Sequence, residues 1–114
     1  MRPLTTLAKV QFASAALVSD QDGYLRRVQE ALLTVEEAIA VGRRQRWREV
    51  HPYDVGIRGL FEYLSFLRRR RVYTLDRGIR AKLKVLLTDA ERLYGKEDFA
   101  QLRARYDELI VAFK

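Results

Sequence analysis

Apolar residues return along this chain at intervals of three and four, and that spacing restricts it to helices. The clearest run is Leu25, Val28, Leu32, Val35, Ile39 and Gly42. A helix turns once in 3.6 residues, so these positions share one face, whereas a half-buried strand would alternate. No segment alternates over more than a few residues. The two prolines, Pro3 and Pro52, stand where helices are expected to begin, because the first helical position needs no N–H.

The pattern divides into five segments. A helix over 4–18 presents Leu7, Val10, Phe12, Ala15 and Leu17 as a broad apolar face. Ser19 and Asp20 then offer side-chain oxygens to the free N–H groups of a second helix, expected over 22–49. A third is expected over 52–71, with Ile57, Leu60, Phe61, Leu64 and Leu67 inward. Thr74 is the expected cap of a fourth helix, with Asp76 in its first turn and Gly95 as its C-terminal stop. It buries Ile79, Leu83, Leu86, Ala90 and Leu93. A fifth, over 97–113, presents Phe99, Leu102, Tyr106, Leu109 and Phe113. Short connectors join them, so the expected fold is all-α, a single compact antiparallel bundle of four to five helices within one domain over 1–114.

Composition narrows the function classes. With 48% apolar and 32% charged residues the chain can bury a core. It has no cysteine, which excludes disulfides, thiolate metal sites and cysteine nucleophiles, and fits a reducing, cytoplasmic setting. No apolar run approaches the ~20 residues of a membrane span. Lys9 and Gln11 interrupt the first apolar tract, so it reads as a helix rather than a secretion signal. One histidine and scattered carboxylates give no expected metal or cofactor site. Glu36 with Glu37, and Asp107 with Glu108, are adjacent and diverge around a helix.

The charge is the informative feature. Net charge is +7, yet residues 1–42 and 85–114 each sum to −1, while 43–84 hold thirteen basic residues against four acidic ones. A field confined to one third of a chain attracts polyanions. Its candidate carriers are Arg43, Arg44, Arg46, Trp47 and Arg48; then Arg68, Arg69, Arg70 and Arg71; then Tyr73, Arg77, Arg80 and Lys84. Arginine forks match phosphate oxygens in two-point contacts, and aromatic rings among them can stack on bases. The competing reading is that cations near helix C-termini complement the helix dipole and keep the surface solvated. In an up-down bundle the first cluster lies at the opposite end from the second, so the sequence leaves open whether the band forms one patch or two. Four arginines in a row sweep round most of a helix, so one must point inward unless the helix has ended.

Two other patterns bear on function. Arg46, His51 and Tyr53 lie in the order arginine, four residues, histidine, one residue, tyrosine, which resembles the motif of HEPN ribonucleases, small helical bundles. That resemblance implies that Arg46 and His51 act together on an RNA phosphodiester. The segment joining helices three and four also reads as a helix-turn-helix with Arg77, Arg80 and Lys84 toward a groove. The leading expectation is a non-catalytic subunit of a nucleoprotein assembly that grips a nucleic-acid backbone, RNA or single-stranded DNA rather than a membrane. A helical adaptor or chaperone that meets or self-associates with proteins through apolar seams and off-stripe Phe66, Leu75 and Leu87 is the alternative, and a HEPN-like ribonuclease the third.

Overall fold

The computed structural model describes residues 2–44 and 51–113. Among them are five α-helices: α1 Arg2–Ala16, α2 Gln21–Arg44, α3 His51–Arg69, α4 Arg77–Tyr94 and α5 Ala100–Ile110. No described residue lies in a strand, so the all-α expectation holds. No described helix is long and apolar enough to cross a membrane.

α3 is the central element and touches the other four helices. Its Ile57, Leu60, Leu64 and Leu67 are fully buried, and side chains of all five helices join them in one apolar cluster. Two glycines let neighbours approach α3 closely. A Cβ on Gly59 would stand 2.5 Å from the Phe12 ring of α1, and one on Gly56 would stand 3.0 Å from Leu86 of α4 and 3.2 Å from Val35 of α2. The missing side chain at each site is therefore what seats the crossing. α2 and α4 run parallel, as alternate members of an up-down bundle must. Lys82 pairs with Glu36 and Arg43 with Asp89, and both pairs span the same number of residues.

The helix starts follow their capping chemistry, with one correction. Asp20 caps α2 as expected, its carboxylate accepting from the Gly23 N–H at 2.9 Å. α4 is capped by Asp76, whose Oδ1 accepts from the Ile79 N–H at 3.1 Å, and not by Thr74. The cap must reach an N–H three residues on, and Asp76 is the residue whose side chain does so. Gly95 ends α4 with φ 99, a conformation that costs glycine little, and its N–H donates to the Glu91 carbonyl. α5 is shorter than expected. Residues 96–99 form a turn before it, and Phe113 is buried beyond its end. The expected stretch of α2 over 45–49 lies outside the described residues.

α1 departs most from expectation. Phe12 and Ala15 are buried, but Leu7, Val10 and Leu17 are exposed, Leu17 by 87%. The inward stripe is Thr5, Ala8, Phe12 and Ala15, mostly small residues that let the backbone lie close to its neighbours. Conversely Leu75 and Leu87 are buried and Phe66 packs against the core, so they offer no seam to a partner.

Candidate nucleic-acid interface

The four-arginine run straddles the end of α3. The Val72 N–H donates to the Leu67 carbonyl at 2.9 Å and the Arg71 N–H to the Arg68 carbonyl at 3.0 Å. These two bonds define a Schellman closure, and Arg71 occupies its left-handed position at φ 59. Glycine is the usual residue there, because a Cβ costs about 1 kcal/mol in that conformation. The helix therefore ends inside the run, and all four arginines are exposed. None points into the core.

The run then divides between two sides of α3. The Arg70 guanidinium lies 4.5 Å above the Phe66 ring, which is 4.6 Å from Tyr24 of α2, itself 5.1 Å from Tyr63. Burial, with smaller effects from Asp76, Tyr24 and Asp22, pushes the Tyr63 phenol up to about 12. Burial likewise raises Tyr24. Arg70 thus roofs a buried aromatic cluster.

Arg68 and Arg69 border a different surface, although the Arg69 charge still reaches Tyr24 and opposes the rise of its phenol. With Ser65, Tyr73 and, from α5, Arg105, Leu109 and Ala112, they line an open hollow of about 520 Å³. Three guanidiniums from two helices converge there. Tyr73 lies in the connector after α3 and is 44% exposed. Arg105 and Ser65 escape a reading of charge along the sequence, because Arg105 lies in a segment of net negative charge. The only signal was its position four residues before Leu109, one turn along α5.

Carboxylates are distributed unevenly around these cations. Among the described residues, ion pairs engage Arg43, Arg58, Lys82, Arg92, Arg103 and Arg105, and none engages Arg68, Arg69 or Arg71. Arg105 reaches Glu108 at only 3.9 Å. The strongest pair is the Arg103 fork on Glu91, with Nε donating to Oε2 at 3.1 Å and Nη2 to Oε1. That hydrogen bond holds the Glu91 carboxyl below its ordinary value. It ties α5 to α4 and leaves Arg103 committed to structure.

The other expected site residues are scattered. Arg43 lies 3.9 Å from Asp89, twelve residues and so about 18 Å along α4 from Arg77. The band is thus two patches, and exposed Arg44 belongs with Arg43. Arg46, Trp47 and Arg48 lie outside the described residues. Arg77, Arg80 and Lys84 share one stripe of α4, continued by Glu91, which places them on the flank bordered by α5. Arg80 is half-buried on that stripe. The α3–α4 connection spans seven residues, 70–76, longer than the three or four of a helix-turn-helix. His51 opens α3 and is exposed beside Asp54, Glu97 and Asp98; its expected partner Arg46 is outside the described residues. Among the described residues no cluster of histidine and carboxylates has the makings of a metal site. Comparison with known proteins gave no match: no family model, no curated protein and no solved structure matches this chain.

Proposed function

We propose that this chain is a non-catalytic, nucleic-acid-backbone-binding subunit that takes RNA or single-stranded DNA at the arginine corner where α3 ends. The observation that carries this reading is the convergence of Arg68, Arg69 and Arg105 on one open hollow, with no ion pair at the first two. Guanidiniums left without carboxylates repel one another across a shared space, and phosphate relieves that repulsion through two-point hydrogen bonds. Dipole complementation accounts for cations at a helix end, but not for a third arginine brought in from α5.

Binding by fluorescence anisotropy across a salt series tests the reading. For single strands log K falls with log[salt] at about 0.7 per phosphate contacted, so three contacts predict a slope near −2. Changing Arg68 and Arg69 to serine should flatten it by about 1.4. Absence of binding at ~50 mM salt, or an unchanged slope in the variant, would sink the proposal.

A second reading rests on α1. Leu7 and Val10 fall on one exposed stripe of its outer face, and exposed Leu17 follows in the turn after it. Such a stripe suits a protein contact, as in an adaptor, and binding there would be nearly insensitive to salt.

A further inference from the structure

We infer that the hollow at the arginine corner seats one unstacked nucleotide of a single strand, with its phosphate among Arg68, Arg69 and Arg105 and its base against Tyr73. The inference rests on the nucleic-acid reading above and adds to it a base-binding function and a ligand class. Three features lead to it.

The first is the mixed lining. A surface that only tracks a backbone needs cations alone. Here the arginines of α3 and α5 share the hollow with the exposed ring of Tyr73 and with half-buried Ala112, over the buried Leu109. Phosphate and base demand those two kinds of wall, side by side. The second is size. About 520 Å³ falls inside the range of about 300–1,000 Å³ typical of small-molecule sites, in a shallow hollow open to solvent. A base paired in a duplex has to leave its stack to enter, so the hollow discriminates against duplex. The third is the charge along the groove. From Ser65 and Arg105 the depression continues along α3, where Glu62 and Asp54 share it with Lys9 and Arg58. It ends beside Glu97 and Asp98. A polyanion is repelled at that acidic end, so the strand leaves the hollow across the exposed Arg71 side.

Tyr73 separates this inference from backbone binding alone. Three fluorescein-labelled probes suffice: a twelve-residue thymidine strand, the same strand with abasic sites, and a twelve-base-pair duplex. Wild type is compared with Tyr73→Leu and Tyr73→Trp, with helicity checked by circular dichroism. The thymidine strand should bind wild type about tenfold more tightly than either other probe. Tyr73→Leu should bring the three affinities together without altering the salt slope, and Tyr73→Trp should restore the preference. If all three probes bind equally well and Tyr73→Leu changes nothing, the nucleotide seat is wrong and the backbone reading stands. If no probe binds at ~50 mM salt, both fall.

Discussion

The arginine corner and the α2–α4 face are both rich in cations, yet they are built to different ends. On the α2–α4 face two cations meet carboxylates: Lys82 lies 2.7 Å from Glu36 and Arg43 lies 3.9 Å from Asp89. At the corner Arg68 and Arg69 converge with Arg105 on a hollow that lacks a carboxylate in its lining. Counting positive charge along the sequence treats these regions alike. What separates them is where the acidic residues of other helices arrive, and that depends on the parallel register of α2 and α4.

The largest expected effect tests this difference directly. Arg68→Ser with Arg69→Ser should weaken single-strand binding about 25-fold at ~0.1 M salt, whereas Arg43→Ser with Lys82→Ser should weaken it less than about threefold. Equal losses would mean that the whole charged band acts together. Anisotropy titrations of the two double variants decide.

The aromatic cluster beneath Arg70 responds to alkali. The Tyr63 phenol is raised to about 12 in the folded chain from 10 in an exposed tyrosine, so the folded state favours its neutral form. Its contribution is fully present below pH 10 and is lost as pH rises through 12, by about 2–3 kcal/mol. Thermal melts between pH 9 and about 11.5 should show Tm falling over that interval, and Tyr63→Phe should remove most of the dependence.

Glu91 gives the opposite sign. Its folded value is lowered by the Arg103 hydrogen bond, so its contribution is present above the ordinary carboxylate value and is lost as pH falls through the folded one. Glu91→Gln should cost about 1–2 kcal/mol at neutral pH and flatten the acid limb of the melting profile. Because Arg103 serves structure, the same change should leave the salt slope of binding unaltered.

Arg71→Gly sharpens the contrast between stability and binding. Relief of the left-handed conformation should raise stability by about 0.5–1 kcal/mol, while loss of one cation weakens binding a few-fold. Denaturant titration and anisotropy on the same variant should move in opposite directions. The smallest effect is at Asp89. Asp89→Asn releases Arg43 and should raise affinity less than about threefold, with a stability change under ~1 kcal/mol, as befits an exposed pair.

Much of the architecture was legible in the residues. The stripes of α2, α3 and α4 predicted the buried positions, because a helix fixes which residues share a face before any neighbour is present. α1 was misread for a related reason. It carries apolar residues on two faces, and only the crossing of Phe12 over Gly59 selects the one that packs. Four arginines in a row leave either an inward cation or a helix that has ended, and the closure at Arg71 and Val72 selects the second. Such a closure is hard to anticipate without glycine at the left-handed position.

By itself the sequence determined the all-helical class, the phase of α2, α3 and α4, the caps at Asp20 and Gly95, and the confinement of positive charge to residues 43–84, since these follow from local geometry and counting. Only the tertiary structure decided which of those charges are neutralised by carboxylates on other helices and which converge. Ion pairing acts over a few ångströms between groups far apart in the chain. It therefore took the packing of α5 against α3 to bring Arg105 beside Arg68 and Arg69, and the register of α2 with α4 to commit Arg43 and Lys82 elsewhere.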